Sequence, residues 1–450
     1  MGGISIRLNS LFRRRRSFRG GLYLPVRRDL AVPRGIRDFP DPPVLCVPMI
    51  QHDGPAARIV VQVGQRVQAG QVIGRGEKPD SLDVHAPLAG KVVALESVDT
   101  VRQSDVPAVR IATAPPVAES SEPSMALAST APLTIEQLAE LADEAGLIDF
   151  GQSATPLGRR LRQAATERLN DLIINALDFE PEPDDRNDLL DTSLDTIISS
   201  AVRLRKTLKA RRLWLLVDRY DPHRVRRCRA AATGKPVRVL GLPNKYPQTH
   251  PNLLTHAVTG QEPPYGSSPA RIGAFVLAIE ALLALENASL HRRPLTRRLV
   301  TVTGDAVRKK GRYLIPLGTP FADVLQHVGL TGPVLRLIEG PLLTGRAVAS
   351  VESVVTRQTA RLLAVGRDHD YLANPGPCVR CGRCQDDCPV GLDPRALLDA
   401  YERGQIEEAL PLWPHACLEC GLCSFVCPAE LPLSEAAARL KYLIPLKVQW

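Results

Sequence analysis

Two runs of cysteine constrain this chain more than any other feature. Cys378, Cys381, Cys384 and Cys388 are spaced C-x2-C-x2-C-x3-C and followed by Pro389. Cys417, Cys420, Cys423 and Cys427 repeat that spacing and are followed by Pro428. Only Cys46 and Cys228 stand outside the two runs. In each run three thiolates come from one tight loop. The fourth, just before proline, begins a segment that leads to the other loop. This is the spacing that wraps two [4Fe–4S] clusters. It predicts that Cys378, Cys381 and Cys384 share a cluster with Cys427. Cys417, Cys420 and Cys423 are then expected to share the other with Cys388. Gly382 and Gly421 fall inside the loops, where bare backbone lets N–H groups approach sulfur and offset the negative charge of the cluster.

Other uses of cysteine fit less well. Disulfides belong to oxidising compartments, and no apolar signal segment follows the basic start of the chain. Zinc sites use C-x2-C pairs, but they do not call for two four-cysteine runs with matching prolines. Cys388 and Cys417 are 29 positions apart, more than a minimal ferredoxin needs. The interval contains an amphipathic pattern at Pro394–Tyr401, so the clusters are expected in an α-helical dicluster domain. Cys46 and Cys228 are expected to be ordinary buried residues.

At 450 residues the chain is long enough for several domains. A 44% hydrophobic content supports packed cores, while 4% aromatics and 39 prolines favour small cores joined by many turns. No run of 18 apolar residues is present. The nearest, Ile272 to Ala284, is broken by Glu280, is too short to span a bilayer and reads as a buried helix. Residues 1–35 hold nine arginines, no lysine and one acid, Asp29. That local +8 is nearly the whole net charge of +9. A basic arm over 1–36 is either a solvated tail or a segment drawn to anionic lipid or an acidic partner. No interleaved aromatics or recognition motif accompany it, so nucleic acid is not expected.

The rest divides by pattern into multidomain α/β and α+β architecture. Residues 37–112 alternate apolar and polar positions, as in Ile59–Val63 and Lys91–Leu95, and predict a small β-sandwich or barrel. Residues 113–133 form an Ala-, Pro-, Ser- and Thr-rich linker. It ends at Thr134-Ile135-Glu136-Gln137, a capping box that predicts a helix start. Between 134 and 290, buried-strand candidates at 172–175, 213–217 and 237–240 alternate with helical segments, as in an α/β layer fold. Residues 297–350 read as a small α+β unit, with a strand at 299–303 and a short helix at 321–327. The cysteine domain occupies 365–445.

This order of parts resembles the RnfC-like iron–sulfur proteins of Rnf-type ion-translocating electron transport complexes, over nearly the whole chain. Phe18-Arg19-Gly20-Gly21 is similar to the family's Gly-Gly opening. Gln51-His52, Val63–Gln71 and His85–Val92 resemble its barrel-sandwich hybrid domain. Lys245-Tyr246-Pro247-Gln248, Val258-Thr259-Gly260 and Thr301–Val307 are similar to further family signatures, the last within a β-grasp, soluble-ligand-binding domain. The resemblance implies that 134–290 is similar to the flavoprotein subunit of NADH dehydrogenase, where a Gly-Gly-Ala-x-Phe-Pro-Thr loop receives FMN and NADH. Here the stretch reads Gly146 to Leu157. Gly151 and Pro156 match, but Asp149 and Gln152 stand at glycine positions. A carboxylate there opposes phosphate, while Arg159 and Arg160 offer compensation. On the same resemblance Gly151, Arg160, Asn175, Asp178 and Glu180 are the candidate FMN contacts.

The expected function is that of an electron-transfer subunit with two [4Fe–4S] clusters and an altered FMN site. The resemblance implies membrane subunits as partners, an NADH-linked protein or ferredoxin as donor, and a peripheral place on the cytoplasmic face of a bacterial inner membrane. The alternatives are an NADH-linked FMN/iron–sulfur flavoenzyme, or a soluble ferredoxin-like adaptor for a dehydrogenase or cobalamin reductase. A barrel domain placed before the flavoprotein-like domain favours the Rnf-type order.

Overall fold

The computed structural model describes residues 17–25, 27–114, 133–150, 154–177, 186–367 and 373–444. The basic run Arg13–Arg16 lies outside them. After an extended N-terminal strap, the chain forms β1 (Ile36–Asp38), β2 (Val44–Pro48), β3 (Arg58–Ile59), β4 (Arg66–Val67), β5 (Val72–Arg75), β6 (Val84–His85), β7 (Gly90–Val98) and β8 (Val106–Thr113). β2 to β8 make two small antiparallel sheets, ordered β2-β8-β7-β4 and β3-β5-β6. They share a core of Leu45, Met49, Ile73, Val92 and Ile111. β7 shows why this segment reads as strand, because Val92 points inward while Lys91 and Val93 face water. This is the barrel-sandwich hybrid expected from the sequence.

The middle layer begins with α1 (Ile135–Glu144) and α2 (Leu157–Ala165). Thr134 and Gln137 close the expected capping box at the head of α1. Then follow β9 (Asp171–Asn175), α3 (Arg186–Thr207), β10 (Arg212–Asp218), α4 (Pro222–Ala231), β11 (Arg238–Leu242), α5 (Pro251–Thr259), β12 (Ala274–Ala278) and α6 (Ile279–His291). The four strands run parallel in the order β11-β10-β9-β12. One face packs on α1, α2, α3 and α6 through residues such as Leu161, Ile197 and Leu282. The other face packs on α5 through Leu254 and Ala257.

The run Ile272–Ala284, expected as one helix, is half strand. β12 is buried at every position and pairs with β9. An apolar run does not distinguish a doubly covered strand from a buried helix by period alone. Phe275 and Val276 favour the strand, and α6 starts only at Ile279.

The third sheet contains β13 (Arg297–Thr303), β14 (Gly311–Pro316), β15 (Arg336–Glu339), β16 (Arg346–Ala347) and β17 (Arg361–Val365), with α7 (Phe321–Val328) across it. Its order is β1-β14-β13-β17-β15-β16. β17 runs parallel to β13 between two hairpins, the β-grasp arrangement. Phe321, Val324 and Val328 of α7 bury against Val300, Ile315 and Leu362. The sheet reaches past residue 350 for its central strand and takes β1 from ahead of the barrel. The last unit contains α8 (Arg383–Asp386), α9 (Pro394–Glu402), α10 (Leu422–Phe425) and α11 (Leu433–Leu443). Asp393 caps α9, as both Arg395 and Ala396 N–H groups donate to it. α9 and α11 meet through Leu397, Ala400, Ala437 and Leu440.

Candidate iron–sulfur and flavin sites

The two cysteine runs fold as copies of one another. Arg380, Gly382 and Gly391 have φ of 53°, 77° and 72°, and their counterparts Glu419, Gly421 and Glu430 have 54°, 76° and 55°. Left-handed backbone at arginine or glutamate is unusual. Here it turns the N–H groups of Arg380 and Glu419 to donate to Cys378 Sγ and Cys417 Sγ, each at 3.4 Å. Leu392 N–H donates to Cys388 Sγ at 3.3 Å.

Thiols from both runs lie close together. Cys388, Cys417, Cys420 and Cys423 all line one enclosed, largely apolar cavity, with Val390, Leu397, Leu422 and Ala437. Cys423 feels the charge of Cys417, Cys420 and Cys388, while Cys384 feels that of Cys427 and Cys381. Cys378, Cys384 and Cys427 pack against Leu398, Leu431 and Leu433. Among the described residues no group of three or more His, Cys, Asp or Glu side chains is arranged for a single ion. The thiols of the second set instead ring a volume, as a cubane requires. Burial pushes the Cys417 thiol up to about 11 and Cys420 up to about 12, and raises Cys423 further. Bare thiolates in that cavity would be costly, whereas iron replaces the proton and meets the same sulfurs. The donor set therefore fits a [4Fe–4S] group.

The two loops face different surroundings. Val379 in the first is 64% exposed, and Arg380, Cys381 and Arg383 also face solvent. Cys420 in the second is 8% exposed and covered by the rest of the chain. Tyr246, at the carboxyl end of the parallel sheet, donates its hydroxyl to Cys420 O at 2.6 Å. A Cβ on Gly421 would invade the carbonyl oxygen of Leu343, on the β15–β16 connection. The N-terminal strap closes a third side. Gly21 N–H donates to Asp387 O at 2.9 Å, and Leu22 pairs with Tyr246 through two backbone bonds. A Cβ on Gly20 would stand 2.5 Å from Cys388 O. Lys245 holds Phe18 by a 3.0 Å bond to its carbonyl and by lying over its ring. The sequence pattern singled out the Gly-Gly pair and Lys245-Tyr246 but not this shared role. The Phe18–Gly21 strap and the Lys245-Tyr246 pair are over 200 positions apart.

The candidate flavin contacts are arranged differently. Gly151, Asp178 and Glu180 lie outside the described residues. Asn175 is buried and turns its Oδ1 back to accept from Leu177 N–H at 2.9 Å. Arg160 forms a buried ion pair with Asp149 and donates from Nη2 to Val276 O at 2.7 Å. Arg159 pairs with Asp80 of the barrel at 3.4 Å. Both arginines offered as phosphate partners are thus engaged within the chain. The reason is local: Asp149 at a glycine position supplies the carboxylate that captures Arg160. Gly158 serves helix packing, since a Cβ there would meet Ala139 O at 2.6 Å. Sequence reasoning missed Arg186, which crosses the carboxyl ends of β9 and β12. It donates to Leu177 O at 2.6 Å and to Glu280 Oε1 at 2.8 Å. Glu280, alone in an apolar run, was the available signal. Among the described residues, the side chains present do not fit an FMN phosphate.

Three family models match in series. They are the RnfC barrel sandwich hybrid domain over residues 16–114, the Nuo51 FMN-binding domain over 142–287 and the 4Fe-4S dicluster domain over 377–431. Over most of its length the chain is similar to RnfC-type subunits of ion-translocating oxidoreductase complexes. It is 26% identical to the RnfC-type protein of the proton-translocating ferredoxin:NAD(+) oxidoreductase complex of Clostridium ljungdahlii, over 88% of this chain and 86% of that protein. It is 30% identical to the corresponding protein of the ion-translocating oxidoreductase complex of Pectobacterium atrosepticum, over 90% of this chain and 58% of that protein. The chain spans about half the length of that and several further relatives. A NAD+-reducing [NiFe]-hydrogenase in the H2-reduced state aligns at 15% identity over 68% of this chain and 60% of that one, with a TM-score of 0.48. Among the described residues no helix is long and apolar enough to cross a membrane.

Proposed function

We propose that this chain is an electron-transfer subunit that relays electrons through two [4Fe–4S] clusters within an ion-translocating oxidoreductase complex. The observation that carries the reading is the crossed thiol arrangement, with Cys388 in one cavity with Cys417, Cys420 and Cys423. On this reading Cys427 completes the set of Cys378, Cys381 and Cys384. Bound clusters supply one-electron redox chemistry without making or breaking bonds to substrate. The chain's part is to hold the iron by eight thiolates, to donate N–H groups to sulfur, and to exclude water from the second set. Burial, hydrogen bonds to sulfur and local charge are the levers by which it tunes potential.

The other subunits of such a complex are the partners this reading implies. The basic arm supplies electrostatic attraction to an anionic membrane surface, giving a peripheral position. The decisive experiment is anaerobic purification with cluster reconstitution, then iron analysis of wild type, Cys384→Ser and Cys423→Ser. About eight irons in wild type and about four in each variant are expected. Equal iron in all three would sink the ligand assignment. Sedimentation with vesicles containing anionic lipid, with and without residues 1–16, tests the membrane reading. Failure of the intact chain to bind would favour the soluble adaptor.

A further inference from the structure

Hydride donors and iron–sulfur clusters deal in different numbers of electrons. A reduced nicotinamide gives up two together, and a [4Fe–4S] cluster takes one. A flavin between them divides the pair. A chain whose flavin crevice is closed therefore has no internal means of accepting hydride.

Ligands of open parallel sheets lie beyond the carboxyl ends of the strands. In this chain that space, next to β9 and β12, is crossed by Arg186. Its guanidinium ties Leu177 O to the Glu280 carboxylate in the first turn of α6. Arg186 and Glu280 side chains are 3% and 16% exposed, so the pair is a fixed part of the interior. Asn175 is folded back onto the backbone of the same segment. Arg160 and Asp149 form a second interior pair, anchored to the middle of edge strand β12 at Val276 O. A phosphate entering there would have to strip Arg160 from Asp149. It would leave a buried carboxylate unpaired and facing the phosphate, and removing one partner of a buried pair is strongly unfavourable. Both guanidinium groups are thus engaged within the chain, and neither is free to receive a flavin or its phosphate.

We infer that these pairs close the crevice to FMN and nicotinamide, so that the chain draws its electrons singly from a reduced one-electron carrier, an iron–sulfur protein or its chemical equivalent. The inference rests on the relay reading above. In each transfer the carrier is oxidised by one electron and the cysteine-bound iron of this chain is reduced by one. No bond forms or breaks, and no proton has to leave the protein. The solvent-facing loop of Cys378, Val379 and Cys381 gives such a carrier access to the first set of thiols.

The test uses the cluster-loaded full chain under anaerobic conditions. Flavin is released by acid and measured by fluorescence, and FMN is titrated into the protein. Bleaching of the visible iron–sulfur absorbance is followed with NADH, with NADH after the FMN titration, and with the methyl viologen radical as one-electron donor. The expected result is no stoichiometric flavin, no quenching of added FMN, no bleaching by NADH and full bleaching by the radical. Saturable FMN quenching, or bleaching by NADH without another protein, would overturn the inference and leave the relay intact. A protein without cluster iron would overturn the relay reading, and this inference with it.

Discussion

Gly421 and Gly382 occupy equivalent turns in the two cysteine loops, with φ of 76° and 77°. Replacing either with alanine forces a Cβ into left-handed backbone, at a cost of roughly 1–2 kcal/mol. Their surroundings differ. A Cβ at Gly382 has only Asp386 Oδ2 as a neighbour, at 4.0 Å, whereas at Gly421 it collides with the carbonyl oxygen of Leu343. That neighbour is backbone, so relief requires the second cysteine loop to move off the β-grasp sheet. Overpacking of this kind adds roughly 1–3 kcal/mol. The added term corresponds to about a 5- to 150-fold larger population of the undocked loop, at tenfold per 1.4 kcal/mol.

The assay is anaerobic removal of iron by a strong chelator, followed through the visible absorbance of the loaded protein. Backbone strain is common to Gly421→Ala and Gly382→Ala, so the ratio of their rates isolates the contact with Leu343. Gly421→Ala is expected to lose half of its iron faster than Gly382→Ala by roughly that population factor. Equal rates, or the reverse order, would refute the claim that the second loop is held shut by the β-grasp sheet.

Tyr246→Phe leaves Cys420 O without its hydroxyl donor and should cost about 1–2 kcal/mol, read as a lower urea midpoint for iron loss with Tyr246→Trp failing to restore it. Thr134→Ala removes the side-chain half of the capping box and should cost about 1 kcal/mol, visible as a lower thermal midpoint of the apoprotein by circular dichroism. Burial lowers His52 and His250 to about 4 and His85 to about 3, with positive neighbours Arg357, Lys441 and Arg75 adding to the effect. These histidines stay neutral in the fold but take protons when unfolded, so their contribution is complete above about 6.5 and is lost as pH falls toward 4. At pH 5 each should weaken the fold by roughly 1–2 kcal/mol. His250→Gln should therefore show a shallower stability loss between pH 7 and pH 5 than wild type, and an identical slope would contradict the buried neutral state.

How much of this was legible in the sequence depended on whether the signal was local. The capping box at Thr134, the alternation through β7 and the two cysteine runs are each set by neighbours a few positions apart. Each can therefore be read without knowing the fold. The apolar run at Ile272–Ala284 carries no such periodic information, because β12 and α6 are both covered, and there the reading as one helix was wrong. The carboxylate at Asp149 was visible, and so was its conflict with phosphate. Its capture of Arg160 was not, since that depends on α2 folding back against edge strand β12. The same limit applies to the cover over Cys420. Leu22, Tyr246, Leu343 and Cys420 come from four separate regions and meet only in the folded chain. Spacing alone makes the two cysteine runs look equivalent. The fold exposes one and encloses the other, so any difference between the clusters in potential or access must come from those distant residues and not from the motif.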